Sequence, residues 1–298
     1  MYEKYFNLRG QPFQLSPDHR FFFDSRPHRK AFAYLTYGLS KGEGFVVVTG
    51  EVGAGKTTLV EYLLSKLRRD QAIVAKVVTT QLEAENLVRM VAAAFGIQQE
   101  GLDKATVLMR LEAFLTDCYR NKRRPLLIID EVQNLSHDSL EELRMLSNFQ
   151  VDARPLLQTF LVGQPQFRAK IASRDLEQLR QRVIAYYHLT PLDPDEARDY
   201  IEHRLVKVGW KDNPHFNEEA FERIYKETAG VPRRINLLCD RLLLFGFLED
   251  RHEIDGSVVS DVITDLRTEG IPVAEEDDEA AQEAKALERE KAAPSWSS

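Results

Sequence analysis

The stretch 45–58, FVVVTGEVGAGKTT, brings together residue types that handle a chain of phosphates. Gly50-Glu51-Val52-Gly53-Ala54-Gly55-Lys56-Thr57 fits G-x-x-x-x-G-K-[ST] without a mismatch, and Thr58 follows directly. The glycines let backbone N–H groups turn inward onto phosphate oxygens, where a Cβ would obstruct them. Lys56 would reach the β- and γ-phosphates of ATP, and the Thr57 hydroxyl would take one position on Mg²⁺. A glycine-rich turn that happens to precede a lysine is the competing reading, and the flanking strand and helix patterns argue against it.

A second group of residues completes such a site. Pro125-Leu126-Leu127-Ile128-Ile129 is an apolar run ending abruptly in Asp130 and Glu131. A strand adjacent to the phosphate-loop strand would deliver both carboxylates to the crevice at the carboxyl ends of a sheet. Asp130 would then hold Mg²⁺ through its water shell, and Glu131 would orient or deprotonate the attacking water. An acid placed to activate water points to hydrolysis rather than phosphoryl transfer to a metabolite. Gln164, at the end of a later strand, would hydrogen-bond the γ-phosphate or that water. Arg233, in Gly230-Val231-Pro232-Arg233-Arg234, would bring a guanidinium to the phosphates. Arg180 and Arg182, in LRQRV, are candidates for an arginine acting on a neighbouring subunit's nucleotide. Taken singly, each arginine reads equally well as a surface or ion-paired residue.

These residues need elements to position them. Phe45–Val48 is β-branched and reads as a strand buried on both faces. After Lys56 the apolar spacing turns helical through Leu59, Leu63 and Leu67. Further strands are expected at 73–78, 125–129, 156–162 and 184–189, with helices between them, which gives a mostly parallel sheet covered on both faces. From Pro191 onward the period is only helical, with Asp193 as a cap and Pro194 at the first position; four helices without a strand are expected there. Residues 1–44 read as an aromatic-rich arm and a helix packing on the nucleotide domain. The division expected is therefore 1–44 arm and helix, 45–190 α/β nucleotide domain, 191–268 helical lid and 269–298 acidic disordered tail.

Composition narrows the function. The chain has 298 residues and a net charge of −7. Residues 274–298 hold eight acids and three bases, a net of −5, which leaves −2 for residues 1–273. A nearly neutral body offers no general attraction to nucleic acid, and the clusters Lys66-Arg68-Arg69 and Lys122-Arg123-Arg124 read as solvated helix ends. Cys118 and Cys239 fall in apolar helical patterns and are expected as buried free thiols. With no apolar run near the roughly 20 residues that span a bilayer and no signal-peptide pattern at the N-terminus, a cytoplasmic protein is expected.

The order of phosphate loop, DE-ended strand, polar strand end, LRQR and GVPR at a helix start resembles an AAA+ ATPase. More narrowly, PFQLSPDHRFFF, GEGFVVVTGEVGAGKTTL, IIDEVQNLS, LVGQPQF, LRQRV and GVPRRIN resemble the ExeA (general secretion pathway protein A) type, and within it the ATPases encoded with exosortase (XrtA)/PEP-CTERM exopolysaccharide systems. The resemblance covers about residues 1–267. It implies nucleotide contacts over Gly50–Thr58, Mg²⁺ and water at Asp130 and Glu131, sensor roles for Gln164 and Arg233, and a trans arginine near Arg180. A homo-oligomer, a ring among the forms it could take, with a site shared between subunits is expected, and the resemblance implies an envelope-export or membrane-protein partner that would hold the protein at the inner membrane. Two departures stand out. ExeA-type proteins continue into a transmembrane helix and a peptidoglycan-binding domain where this chain has an acidic tail, so a direct cell-wall role is not expected. Gln164 stands where many AAA+ proteins have Asn or Thr. Rival readings are a DNA-associated AAA+ regulator, a scaffold that binds ATP and scarcely hydrolyses it, and, more remotely, a small-molecule kinase.

Overall fold

The computed structural model describes residues 1–16, 18–67, 72–78 and 83–270. The acidic tail from 271 onward, Pro17 and the Arg68-Arg69 pair lie outside the described residues. The chain divides into two compact units, one of which is Leu15–Glu196 with Val231–Arg233.

That unit is built on five parallel strands: β1 Phe45–Gly50, β2 Ala72–Val78, β3 Arg124–Asp130, β4 Gln158–Gly163 and β5 Val183–Leu189. They lie in the order β2-β3-β4-β1-β5. All six positions of β1 are buried, as a β-branched strand flanked on both sides requires. β2 is an edge strand and leaves Val74 and Val78 exposed. One expectation needs correcting here. β3 does not pair with β1, because β4 intervenes, in register from Phe45↔Thr159 to Thr49↔Gly163. The acids thus stand one strand further from the phosphate loop than adjacency would place them, and the end of β4 stands between.

Period-2 alternation sends successive strand residues to opposite faces. Phe45, Val47, Leu127, Ile129 and Leu161 pack with Leu87, Leu111 and Leu140, from helices Ala84–Ala94, Lys104–Arg120 and His137–Leu146. Val46, Val48, Ile128, Phe160 and Val162 pack with Leu35, Leu59 and Leu63, from helices Arg26–Lys41 and Lys56–Lys66. Helices cover both faces, as the strand–helix alternation requires. A short hairpin that was not expected pairs Gln150–Val151 with Arg154–Pro155. Helix Pro194–Lys207 is capped as expected, with Glu196 N–H donating to Asp193 Oδ1 at 2.9 Å.

The other unit comprises Met1–Gln14, Ala197–Gly230 and the chain from Arg234. Its first segment departs from expectation, since Met1–Gln14 belongs with these helices rather than with the nucleotide domain. The reason lies in specific polar anchors. Tyr2 Oη donates to Asp240 Oδ1 at 2.5 Å, Arg9 N–H donates to Val208 O at 2.7 Å, and Arg204 Nε donates to Pro12 O at 2.6 Å. Buried Arg204 also donates to Tyr200 Oη at 2.7 Å, which donates in turn to Asn236 Oδ1 at 2.9 Å. A wholly strand-free bundle is a second correction, because His215–Phe216 pairs in parallel with Glu253–Ile254. Cys118 and Cys239 are free and buried.

Leu127, in the middle of β3, is fully buried. Leu127→Ala is expected to cost about 2–5 kcal/mol in denaturant unfolding, through lost transfer energy and the cavity left behind. A loss below about 1 kcal/mol would show that the sheet's helical cover closes over the gap.

Candidate nucleotide site

β1 ends at Gly50 and a helix begins at Lys56, so five residues must reverse the chain. Gly53 and Gly55 do so with φ of +82° and +94°, a conformation that side-chain-bearing residues rarely adopt. Gly55 is also the N-cap of the helix, so the helix's positive end opens onto the loop. Lys56 folds back and donates to Gly50 O and Glu51 O, both at 2.8 Å. Burial pushes its ammonium below the usual lysine range, while Glu131, Asp130 and Glu51 oppose that shift. Ala54 is buried under the loop and Val52 projects outward.

A residue absent from the sequence reading supports the loop from beneath. His28, near the start of helix Arg26–Lys41, is buried, and its Nε2 lies 2.8 Å from where a Cβ on Gly55 would stand. Its Nδ1 is 2.7 Å from Ser25 Oγ, which caps that helix. Burial pushes the imidazole down to about 4, a shift that the Ala54 backbone partly offsets, so His28 is neutral at physiological pH. Only the short Ser25–His28 spacing hinted at this, and it is equally the pattern of an ordinary helix cap.

The structure brings the two acids to the loop. Thr57 Oγ1 donates to Asp130 Oδ2 at 3.1 Å, and Glu131 N–H donates to Asp130 Oδ1 at 3.0 Å. Asp130 is buried, and Lys76 of β2 reaches within 3.9 Å of its Oδ2. A hydroxyl and a carboxylate this close supply hard oxygen donors of the kind Mg²⁺ takes, with phosphate oxygens and water completing its shell. These residues fit that ion. Among the described residues no group of three or more His, Cys, Asp or Glu forms a separate metal cluster.

Glu131 sits at φ +55° just past β3. Gln164 Nε2 donates to Glu131 Oε2 at 3.1 Å, and Gln133 Nε2 donates to the same oxygen at 2.5 Å. Gln133 Oε1 also accepts from Gln164 N–H at 3.0 Å. Gly163 makes this possible, since a Cβ there would fall 2.7 Å from Gln133 Oε1 and from Val132. Gln133 was not singled out from the sequence, although it stands two residues past Glu131 in DEVQNLS.

The arginines divide. Arg233 N–H donates to Gly53 O at 3.2 Å, and a Cβ on Gly53 would lie 2.3 Å from Arg233 Cβ, so this residue does adjoin the phosphate loop. Arg180 and Arg182 do not. Arg182 precedes β5 at the amino-terminal edge of the sheet, where its carbonyl accepts from Phe45 N–H. Its guanidinium binds Ser147 Oγ at 2.7 Å and also Asn148 Oδ1. Arg180 is exposed and donates to Ala172 O at 3.0 Å.

Residues 39–171 match the family described as AAA domain. The fold is that of an AAA P-loop NTPase. General secretion pathway protein A of Aeromonas hydrophila is 36% identical over 276 residues, an alignment covering 91% of this chain and 50% of that protein. The chain thus spans about half the length of that relative. Cdc6p from Pyrobaculum aerophilum superposes with a TM-score of 0.66 at 18% identity, covering 84% of this chain and 70% of that one. RuvB, the Holliday junction branch migration motor of Thermotoga maritima, gives 0.57 at 21% identity, covering 86% and 74%. At those identities the likeness is one of fold.

His28 generates a pH prediction. Its folded value lies below the ordinary 6.5, so the unfolded chain takes up the proton first. Its contribution to stability is therefore complete above about pH 6.5 and declines as pH falls towards about 4. His28→Asn is expected to flatten the stability profile across that window. Parallel profiles for the two proteins would place the acid sensitivity elsewhere.

Proposed function

We propose that this AAA-fold chain binds ATP with Mg²⁺ and hydrolyses it. The observation that carries the reading is the convergence of Thr57 on Asp130 beside a Glu131 held by two amide donors. Residues Gly50–Thr58 would cradle the phosphates, with Lys56 as their fixed cation. Thr57 and Asp130 would hold Mg²⁺, which when bound supplies charge neutralisation for the β- and γ-phosphates. Gln133 and Gln164 fix the Glu131 carboxylate, and Glu131 would take a proton from an attacking water. Gln164 would also sense the nucleotide, and Arg233, beside Gly53, would do so from the other side of the loop. We read 45–190 as the nucleotide domain and 191–268 as the helical lid.

We further propose that the site is completed between subunits of a homo-oligomer. Arg180 is the better placed of the two candidate arginines, because Arg182 is committed to Ser147 and Asn148. The cellular task proposed is to power or gate an envelope secretion assembly. The 36% identity to General secretion pathway protein A supports this, and the motif resemblance narrows it to an exosortase/PEP-CTERM exopolysaccharide system. Among the described residues no helix is long and apolar enough to cross a membrane. A peripheral place at the inner membrane, through a protein partner, fits the reading.

Lys56→Ala is expected to abolish ATP binding, and unchanged affinity by calorimetry would sink the site assignment. Glu131→Gln should keep binding and lose turnover by about a hundredfold or more, the scale of a lost general base. Wild-type turnover in that variant would put the catalytic carboxylate elsewhere. Neither Arg180→Ala nor Lys56→Ala alone should hydrolyse ATP, and a mixture of the two should recover part of the activity. A mixture that co-assembles and stays inactive would exclude Arg180 as a trans arginine.

A further inference from the structure

At the amino-terminal edge of the sheet lies a cleft of about 720 Å³ that the nucleotide site does not use. Its lining includes Glu43 just before β1, Ala72 at the start of β2, Arg124 at the start of β3 and Gln158 at the start of β4. β1 is six residues long, so roughly 20 Å of strand separates this mouth from Gly50. Ligands of open α/β sheets ordinarily sit at the carboxyl ends, which sets this opening apart.

The chemistry of the walls is specific. Lys41, Lys122, Arg123, Arg124 and Arg154 contribute cations from a helix end, a turn and strand start, and a hairpin, while Glu43 is the acid in the lining. Convergence from three separate segments is not the pattern of one solvated helix face. Elsewhere on this protein, several arginines pair with acids, among them Arg20 with Asp18, Arg89 with Glu85 and Arg144 with Glu141. Within the described residues, Lys122, Arg123, Arg124 and Arg154 have no such side-chain partner. Five cations gathered around one acid repel one another, and a bound anion relieves that repulsion. Behind the cations, Leu39, Tyr119, Pro125 and Leu156 form an apolar wall. Buried Gln158 fixes one side by donating to Gly38 O at 2.6 Å and Glu43 O at 3.2 Å.

We infer that this cleft is a second anion site, taking a phosphorylated ligand of nucleotide size with its phosphates on the guanidiniums and its apolar part against Tyr119 and Leu156. The volume falls within the range of small-molecule sites, about 300–1,000 Å³. Arginine forks match phosphate oxygens two at a time. A nucleic-acid strand would need cations continuing beyond the cleft, and residues 1–273 carry a net charge of only −2. The phosphates could belong to a free metabolite or to a phospholipid headgroup.

The test uses the full chain carrying Lys56→Ala, so that the phosphate loop contributes as little as possible. Sodium tripolyphosphate is titrated by calorimetry into that protein and into the same protein with Arg123→Ala, Arg124→Ala and Arg154→Ala. All three arginines are exposed, so folding should survive, and Arg154→Glu alone on the hairpin serves as the second variant. Affinity is expected to fall at least tenfold in the triple variant, and to weaken with salt. In parallel, both proteins are sedimented with vesicles of phosphatidylcholine and with vesicles half of phosphatidylglycerol. Sedimentation with the anionic vesicles that needs the arginines and is competed by tripolyphosphate assigns the site to a headgroup. Tripolyphosphate binding that needs the arginines, without sedimentation, assigns it to a free ligand. If neither measurement distinguishes the arginine variants from their parent, the inference is overturned.

Discussion

A lysine ammonium drawn into the fold is the constraint on which the site depends. Taking such a charge out of water costs several kcal/mol unless fixed dipoles and acids replace the solvent. Here the carbonyls of Gly50 and Glu51 close on Lys56, and Asp130 and Glu131 lie close enough to favour its charged form. The remaining geometry follows from that requirement. Two glycines at positive φ bring the carbonyls round, His28 props the turn from below, and the sheet order brings the acids in from beyond β4. A strand order that placed β3 directly beside β1 would leave no position between them for the amide that holds Glu131.

Much of this was legible in the sequence because the signals are local. A β-branched run, a glycine loop and a helical period are contiguous in Phe45–Leu67, and each element appears where its pattern falls. Asp130 and Glu131 were equally readable, since an apolar strand ending in two acids is a short-range signal. Sheet order was not, because adjacency of β1 and β3 depends on which strand slips between them, and no local pattern encodes that. His28 and Gln133 were missed for a related reason: His28 acts on Gly55, and Gln133, although it stands two residues from Glu131, shows its role only when Gln164 is brought to it from another strand. The arm behaved similarly. Its aromatic content announced that it would pack, but the partner was set by polar anchors such as Tyr2 to Asp240 and Arg204 to Pro12, more than 190 positions apart.

The two ends of the sheet have contrasting electrostatics. At the carboxyl end, cation and acid are interleaved: Lys56 with Asp130 and Glu131, and Lys76 with Asp130 and Glu61. At the amino end, cations gather around a single acid in the cleft. The first arrangement pairs opposite charges within the chain. The second is unbalanced, and its charge is available to something outside the chain.

Gly53 has a consequence of a different kind. Its backbone lies at φ +82°, and Arg233 Cβ occupies the space a side chain would need. The two constraints have separate origins, one in the chain's own torsion and one in a neighbour about 180 positions away. In a genetic search, only glycine at position 233 would remove the colliding Cβ, and it would leave the torsional strain untouched, while relaxing the loop would leave the collision. An allele altered at position 53 should therefore lack any single-site suppressor and revert only to glycine.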